Sequence, residues 1–426
     1  MRFLLRALYA VAAKLASVAA SVIPASDRKA VIAVRARRGI RSRYASWAAE
    51  HRDAARPLLW MHAPSVGEGL QARPVLTLLR SHHPEVQLAY TFFSPSAEEF
   101  SRTLDVDFRD YLPFDSAADM GGALEALRPK ALVFSKLDVW PELVRQAARR
   151  AVRVGMVSAT LGPVSGRRSR AGNLLLRDAY ASLDAVGAVD REDADRLVEL
   201  GVRSEAIEVT GDTRFDQVWE RAESVDRQSR LQTQLASDRA TVVAGSTWPT
   251  DEAPLLEGFL RARVQIPALR IVIAPHELSP EHLGAIERWA GGHQLSLARL
   301  DEASPAADVV LVDRFGVLGE LYALAHVAFV GGGFHDAGLH SVLEPAAFGA
   351  PVFFGPQHKK SRDALMLLGA GAARAVTSAP DVQRQLVDWF RQPEARREMG
   401  AKARAAVERG RGAAERSLKL VERLLA

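Results

Sequence analysis

Short apolar runs alternate along the chain with longer segments that have a helical period. Runs of three to six residues separated by helix-length intervals predict βαβ units with parallel sheets. The first series of predicted strands is Leu58–His62, Gln87–Phe92, Ala131–Phe134, Val152–Val157, Ala185–Val189 and Glu208–Thr210. The second series is Thr241–Gly245, Arg270–Ala274, Val309–Val312, Val327–Val330, Pro351–Phe354 and Ala373–Val376. The pattern therefore predicts an α/β protein with two doubly wound, Rossmann-like domains.

The polar, helix-friendly stretch between the two series predicts a domain boundary. We expect a basic N-terminal helix and linker over 1–43, an α/β domain over 44–216, an interdomain linker over 217–239 and a second α/β domain over 240–426. The tail from Glu394 is rich in Ala, Arg, Glu and Leu and is expected to be helical. Doubly wound sheets bind ligands beyond the carboxyl ends of their strands, so a cleft at those ends is the expected site.

The N-terminal segment Phe3–Ile23 is apolar but carries Arg6 and Lys14. On a helix these two residues, with Ser17 and Ser21, fall within an arc of about 80°. The opposite side holds Leu4, Leu8, Val11, Leu15, Val18 and Val22. A spanning helix normally has ~20 apolar residues without central charges, so the stripe favours a helix in the membrane interface. A spanning helix, a cleaved signal peptide and a helix packed within the protein stay open.

Composition excludes several classes of protein. Hydrophobic residues make up 48% and charged residues 25% of the 426 residues, which is typical of globular domains. The absence of Cys excludes disulfides, thiolate metal sites and cysteine nucleophiles.

The net charge of +5 is unevenly distributed along the chain. Residues 1–43 hold ten Lys/Arg against one acid, so the remainder carries −4. A mildly acidic body argues against nucleic-acid binding. The basic cluster is expected to meet anionic lipids of the inner membrane and to keep the chain cytoplasmic. It consists of Arg28, Lys29, Arg35, Arg37, Arg38, Arg41 and Arg43.

The block Phe329–Pro356 has the pattern of a strand, a glycine triplet, a loop and a helix opened by Ser341. Glycines permit close approach of a ligand to the backbone, and a helix N-terminus offers N–H groups to a phosphate. Ser341 followed by Glu344 is equally typical of a capping box that satisfies those N–H groups itself. The block is not GxGxxG after a first strand, which disfavours a dinucleotide oxidoreductase.

A second candidate lies near the start of the first domain. A strand is predicted to end at His62, and a helix is predicted to begin near Glu68. A carboxylate at that junction is placed to act as a general base. A first-turn glutamate that favours the helix dipole is the structural alternative.

Five motifs keep a fixed order between about residues 57 and 360. They are His62-Ala63-Pro-Ser65-Val66-Gly67-Glu68, Tyr111-Leu-Pro-Phe-Asp115, Gly211-Asp-Thr-Arg214-Phe215-Asp216, Ser246-Thr247-Trp248 with Asp251 and Glu252, and Phe329–Pro345. In these motifs the chain resembles the Kdo transferases. These are membrane-associated enzymes that move 3-deoxy-D-manno-octulosonic acid (Kdo) from CMP-Kdo to lipid A precursors.

The resemblance implies a GT-B glycosyltransferase that transfers Kdo to lipid IVA at the cytoplasmic face of the inner membrane. It implies an acceptor-binding N-terminal domain, a CMP-Kdo-binding C-terminal domain, and neither a cofactor nor a metal. Glu68 matches the family's general base, and Arg214 matches a cation that stabilises the transition state. The implied CMP-sugar contacts are Ser246, Thr247, His276, Glu277, Phe315, Gly316, Val317, Ser341, Val342, Leu343 and Glu344.

The chain departs from the family pattern at three places. Lys136 replaces the first acid of Glu-x-Glu-x-Trp-Pro and Asp138 keeps the second, so both are catalytic candidates, with a buried Lys136–Asp138 pair as the structural alternative. His276-Glu277 stands where the family has Arg-His, and Ser341-Val342 replaces Asn-Pro. Three other functions stay open: a GT-B enzyme using another activated sugar, a catalytically silent membrane-attached nucleotide-sugar-binding protein, and a secreted binding protein.

Overall fold

The computed structural model describes residues 2–22, 28–162 and 165–426. The strands are β1 (Leu58–His62), β2 (Gln87–Phe92), β3 (Phe108–Tyr111), β4 (Ala131–Ser135), β5 (Arg153–Ala159), β6 (Ala185–Ala188), β7 (Ile207–Val209), β8 (Thr241–Thr247), β9 (Arg270–Pro275), β10 (Leu297–Arg299), β11 (Val309–Leu311), β12 (Val327–Val330), β13 (Val352–Phe354) and β14 (Ala373–Ala375).

The helices occupy most of the intervals between strands. They are α1 (Arg2–Val22), α2 (Lys29–Arg35), α3 (Ile40–His51), α4 (Val66–His82), α5 (Ser96–Ser101), α6 (Ala117–Leu127), α7 (Pro141–Arg149), α8 (Arg170–Ala181), α9 (Arg191–Leu200), α10 (Arg214–Ser224), α11 (Arg230–Leu235), α12 (Pro249–Arg263), α13 (Pro280–Gly292), α14 (Leu318–Leu321), α15 (Leu343–Ala347), α16 (Arg362–Gly369), α17 (Ala379–Arg391), α18 (Pro393–Arg409) and α19 (Ala413–Leu425). Short 3₁₀ turns lie at Gly166–Arg168, Ser204–Ala206, Leu300–Glu302 and Tyr322–Leu324.

The chain divides into two compact units, each built on one parallel sheet. Unit 1 comprises Met1–Gln217 with Arg411–Ala426, and unit 2 comprises Val218–Gly410. The sheet of unit 1 has the order β3-β2-β1-β4-β5-β6-β7, and the sheet of unit 2 has the order β10-β11-β9-β8-β12-β13-β14. The strand order reverses between β1 and β4 and between β8 and β12, where such sheets bind ligands. The predicted pair of doubly wound α/β domains is confirmed.

Central strands are mostly apolar because helices cover both faces of each sheet. All five residues of β1 and all four of β12 are buried. Every predicted strand is present, with ends that shift by up to two residues. The sequence missed β3 and β10, which are edge strands. Exposed or charged positions interrupt their apolar pattern, as in Phe-Arg-Asp-Tyr for β3.

The division into units differs from the sequence-based boundaries at two places. Residues 218–239, taken as a linker, belong to unit 2, where Leu235 of α11 is fully buried in the core. Residues 411–426, assigned to the C-terminal domain, belong to unit 1. The reason is the apolar face of α19, whose Leu418, Val421 and Leu424 join the core of unit 1. The predicted helical tail is present, but its last helix returns to the first unit.

Helix α1 has two unlike faces. Tyr9 donates a hydrogen bond to Asp115 with O···O 2.7 Å, whereas Leu8, Val11 and Leu15 are 57–63% exposed. Lys14 of the predicted polar stripe is exposed, and the side chains of Arg6 and Ser21 lie outside the described residues. Among the described helices, none is long and apolar enough for a membrane crossing.

Part of the basic cluster has an internal role. Arg37 is buried, donates to the carbonyl oxygens of Ala33 and Leu112, and stacks over the ring of Phe93 at 4.2 Å. Arg43 forms a bidentate pair with Asp110 at 2.7 and 2.8 Å. These two cations hold the α2–α3 segment on unit 1, and the buried Arg37 is not available to lipid headgroups.

Candidate active site

Glu68 lies in the first turn of α4, just beyond the carboxyl end of β1. Ser65 Oγ donates to Glu68 Oε2, and Lys136 Nζ lies 3.2 Å from Oε1. The side chain of Glu68 is 17% exposed. Burial raises the pKa of this carboxyl, but the Ser65 hydrogen bond and the Lys136 ammonium outweigh burial and hold the pKa below its ordinary value. Glu68 is therefore ionised at neutral pH and still accessible.

Lys136 follows β4 directly and has a left-handed backbone. Its φ of 69° is uncommon for a residue other than glycine, and such conformations cluster at functional sites. The Lys136 N–H donates to Val157 O at 2.9 Å, and Ser135 Oγ donates to the carbonyl oxygen of Glu68 at 2.8 Å. Because β1 and β4 are adjacent at the reversal of strand order, the fold brings Lys136 to Glu68.

Asp138 has a different partner from the one considered in the sequence. Its carboxylate accepts from Arg167 Nη2 at 3.0 Å, and its second oxygen lies 3.9 Å from His62 Nε2. Trp140 Nε1 donates to the same His62 nitrogen at 3.2 Å. Burial raises the pKa of Asp138, and His62 and Arg167 lower it overall. The alternative of a Lys136–Asp138 pair is therefore wrong. Lys136 pairs with Glu68, and Asp138 pairs with Arg167.

Arg214 is the first residue of α10 and is held next to α4. Its Nε and Nη2 lie 2.8 and 2.7 Å from Asp212 Oδ2. Gln71 Nε2 donates to the other Asp212 oxygen at 3.1 Å, and Thr213 Oγ1 donates to Gln71 O at 2.6 Å. Gln71 lies one turn along α4 from Glu68. Arg214 is therefore held on the side of α4 that begins at Glu68, and Asp212 balances much of its charge.

In unit 2 the corresponding reversal of strand order contains the glycine triplet that begins at Gly331. Ser246, near the end of the neighbouring strand β8, has a left-handed φ of 55°. A Cβ added at Gly331 would lie 2.1 Å from Ser246 O, and one at Gly332 would lie 2.1 Å from Gly338 O. The loop's own packing therefore requires these glycines. A bulky residue at Gly332 would disturb the fold before it reported on a ligand.

Asp251 accepts hydrogen bonds from two N–H groups of this loop and from one at the start of α12. It is fully buried and accepts from the backbone N–H groups of Trp248, Gly332 and Phe334 at 3.0, 2.7 and 2.8 Å. The N–H groups of Gly331 and Gly332 therefore have acceptors within the protein, since Gly331 N–H donates to Gly245 O at 2.9 Å.

The N–H groups that are available come slightly later. Helix α15 begins at Leu343, and its N-cap residue Val342 makes no side-chain capping bond. The capping box expected from Ser341 and Glu344 is therefore not formed. Within the described chain, no backbone acceptor takes the N–H groups of residues 341–344. These donors are suited to an anionic ligand.

A stack of rings stands beside this segment at the ends of β8, β9 and β12. Trp248 lies against His335 at 4.2 Å between ring centroids and against His276 at 4.4 Å. Its Nε1 donates to His340 Nε2 at 3.3 Å, and His276 and His340 lie 4.6 Å apart. Burial, together with His276 and His335, lowers the pKa of His340 to about 4. His340 is therefore neutral at pH 7 and presents N–H rather than charge.

Phe315 and Gly316 are exposed in the turn before α14, and Val317 of the same turn is half-buried against the core. The Phe315 ring is 72% exposed, which suits stacking on a nucleobase. Arg221 Nη2 donates to Gly316 O at 3.1 Å. Burial raises the pKa of Glu344, and the charge of Arg221 opposes this rise.

The remaining predicted contacts divide into available and unavailable groups. His276, Glu277 and Ser341 are exposed. Thr247 is not available, because its buried hydroxyl donates to Glu252 at 2.7 Å. The side chains of Val342 and Leu343 are also fully buried, so only their backbone can meet a ligand. Among the described residues, no group of three His, Asp or Glu side chains is placed to hold a metal ion.

Sequence reasoning overlooked several residues that shape these sites. Arg167 lies in a basic run after β5, and this run is a visible signal. His335 and Arg221 had no such signal, because a histidine in a loop and an arginine in a helix are common. Only the packing of unit 2 brings His335 onto Trp248 and Arg221 onto Gly316.

Comparison with known proteins assigns a family to this chain. Residues 36–217 match the model of the family described as 3-Deoxy-D-manno-octulosonic-acid transferase (kdotransferase). The 3-deoxy-D-manno-octulosonic acid transferase of Bordetella pertussis is 31% identical over 382 residues, which cover 85% of this chain and 86% of that protein. The enzyme of the same name from Haemophilus influenzae is 24% identical over 371 residues, covering 85% and 86%.

Solved structures share the fold at much lower identity. UDP-GlcNAc 2-epimerase from Neisseria meningitidis is 14% identical, with a TM-score of 0.64, and the match covers 86% of this chain and 100% of that one. A glycosyltransferase from Rickettsia africae is 10% identical, with a TM-score of 0.59, and the match covers 87% and 99%. These likenesses support the GT-B type of fold.

Proposed function

This chain belongs to the 3-deoxy-D-manno-octulosonic acid transferase family and transfers Kdo in lipopolysaccharide synthesis, and we propose that its donor is CMP-Kdo and its acceptor lipid IVA. The observation that carries the proposal is the Glu68–Lys136 pair at the strand-order reversal of unit 1. An ionised carboxylate held there suits deprotonation of a sugar hydroxyl.

The proposed reaction is a substitution at the anomeric carbon of Kdo. Glu68 takes the proton of the acceptor hydroxyl, and the hydroxyl oxygen forms a bond to the anomeric carbon. The bond between that carbon and the phosphate oxygen of CMP breaks, and CMP leaves with the electron pair. The reaction needs neither a metal nor a cofactor, because hydrogen-bond donors can stabilise the charge that develops on the phosphate.

The roles of the other residues follow from their positions. Lys136 keeps Glu68 ionised, and Arg214 supplies a cation that Asp212 already holds in place. In unit 2, the N–H groups of residues 341–344 and the ring stack on Trp248 are suited to the CMP phosphate. Phe315 is suited to stack on the cytosine.

The test is incubation of the purified protein with CMP-Kdo and lipid IVA, followed by mass analysis of the lipid. Addition of a Kdo unit is expected. If the protein transfers sugar from another activated donor and none from CMP-Kdo, the assignment of CMP-Kdo as the donor is wrong. Binding of CMP-Kdo without any transfer would indicate a silent binding protein.

For location we propose attachment to the cytoplasmic face of the inner membrane through α1. The apolar face with Leu8, Val11 and Leu15 is exposed, and basic residues follow the helix. Removal of residues 1–43 is a poor test, because it also removes the buried Arg37 and Ile40.

A point substitution tests this attachment more cleanly. Leu15→Asp is expected to abolish sedimentation with anionic liposomes, because it places a charge on the apolar face. Val264 is 83% exposed in unit 2, so Val264→Asp is the matched control. Equal liposome binding by both variants would contradict attachment through α1.

A further inference from the structure

Unit 1 contains a groove that the roles assigned above do not use. Its volume is about 810 Å³, within the usual range of small-molecule sites. The groove lies between α1, α7 and α8, and its lining includes Tyr9, Val144, Ala148, Arg149, Leu175 and Ala179. Apolar atoms form more of the wall than polar atoms, so the groove suits a hydrocarbon chain better than a sugar.

The groove includes the first turn of α7, which follows Lys136 and Asp138 in the chain. Pro141, at the first turn of α7, lines one end and lies five residues after Lys136. Asp115 fixes this end, because its two oxygens accept from the N–H groups of Glu142 and Leu143 at 2.9 and 2.8 Å. From there α7 carries the groove away from the carboxyl edge of the sheet.

The same carboxylate ties α1 to the groove. Tyr9 OH donates to Asp115 at 2.7 Å, which holds α1 as one wall. Leu8 and Val11 flank this contact in sequence and are more than half exposed. A chain that leaves the groove over α1 therefore stays on an apolar surface.

The charged side chains along the groove are two arginines and two acids, and Arg149 is the arginine that does not pair with Glu142. Arg145 and Arg149 line it one turn apart on the exposed side of α7. Arg145 also pairs with Glu142, while Asp178 is an acid on the same lining. A phosphate next to an aliphatic chain matches this combination of arginines and apolar wall.

We propose that this groove takes one acyl chain of the acceptor lipid, with a phosphate of its headgroup near Arg149. The inference rests on the proposed function, because it names the part of the acceptor that unit 1 holds while the sugar hydroxyl meets Glu68. Occupancy by a bilayer phospholipid is the competing outcome.

The first test fills the groove and compares two acceptors. Ala148→Trp occupies the groove, and Ala171→Trp is the control, since Ala171 is exposed on α8 and does not line it. Ala148→Trp is expected to raise the KM for lipid IVA tenfold or more, with kcat and the KM for deacylated lipid IVA within twofold of wild type. No change with lipid IVA, or equal changes with both acceptors, would overturn the proposal.

The second test does not depend on transfer. Lipid IVA with a photoreactive diazirine in one acyl chain is irradiated with each protein, and labelled peptides are mapped. We expect labelling of residues 141–149 and 170–182, lost in Ala148→Trp and retained in Ala171→Trp. Labelling elsewhere, or equal labelling by diazirine phosphatidylglycerol, would overturn the assignment to the acceptor chain. If the wild-type protein is labelled in the groove but transfers no Kdo, the proposed function is refuted. The assignment of the groove to an acyl chain is then retained.

Discussion

The two strand-order reversals of this protein carry opposite kinds of chemistry. In unit 1 the charged side chains are paired: Glu68 with Lys136, Asp138 with Arg167 and Asp212 with Arg214. In unit 2 the corresponding position holds backbone N–H groups and a stack of rings on Trp248. The same fold thus supplies fixed charge at one reversal and neutral donors at the other.

The difference teaches how the roles divide between the units. A group that removes a proton must be ionised, and a nearby cation keeps it so. A site that binds an already anionic ligand can use N–H groups alone. Both reversals also contain a non-glycine residue in the left-handed region, Lys136 and Ser246, which marks them as strained positions.

The largest expected effect comes from removing the base in unit 1. Glu68→Gln keeps the shape of the side chain but cannot take a proton, so the transfer rate is expected to fall about 10²–10⁴-fold. Donor affinity should not change. Steady-state transfer assays and calorimetry with CMP measure the two quantities.

The control for Glu68 is Glu192→Gln. Glu192 is a first-turn glutamate of α9 in the same unit and is 79% exposed. If Glu68 only favoured its helix dipole, both variants would cost about 0.3–1 kcal/mol of stability and retain activity. That result would remove Glu68 as the base, and Asp138 of the same unit would be the next candidate.

The next effect tests neutral recognition in unit 2. Phe315→Ala is expected to weaken CMP binding by about 5–150-fold, since stacking of a base on an aromatic ring contributes ~1–3 kcal/mol. Leu365 is 48% exposed in the same unit, so Leu365→Ala serves as the control. If calorimetry shows equal CMP affinity for both variants, the cytosine does not stack on Phe315.

A smaller effect concerns the partner of Glu68. Lys136→Met removes the ammonium that lowers the pKa of Glu68, so this pKa rises. Because the ionised form is the base, the acid limb of the pH–rate profile should move to higher pH. We expect a several-fold larger loss of kcat/KM at pH 5 than at pH 8. Lys136→Arg should keep the wild-type profile, and an unchanged limb in Lys136→Met would contradict the pairing.

The smallest effect concerns stability in unit 1. Burial raises the pKa of Asp115 from 3.8 to about 6, so the folded state holds its proton more tightly than the unfolded state. This contribution to the free energy of unfolding is present below pH 4 and is lost as pH rises through about 6.

Asp115→Asn should therefore flatten the decline of the unfolding free energy between pH 4 and 6. The change is at most about 1.4 kcal/mol per pH unit and is measured by urea unfolding. Asp105 is 83% exposed, so Asp105→Asn should keep the wild-type slope. A wild-type slope in both variants would show that Asp115 is not the titrating group.

The sequence by itself determined the class of fold and the position of Glu68. Buried parallel strands are apolar along most of their length, so β1 and β12 were recognisable with their bounds. Glu68 was placed correctly because the start of a helix after a strand is a local property. The family motifs added the roles, which no periodicity could supply.

Tertiary structure alone decided the partners of the charged and polar groups. Lys136 pairs with Glu68, which is 68 residues away in sequence, rather than with its neighbour Asp138. The reason is that β1 and β4 are adjacent in the sheet. Helix α19 joins unit 1 because its apolar face finds a surface there. In the glycine loop, the N–H groups of Gly332 and Phe334 donate to Asp251 because the fold places that carboxylate beside the loop. Pairing depends on distance in space, and sequence spacing reports that distance only within a single helix or turn.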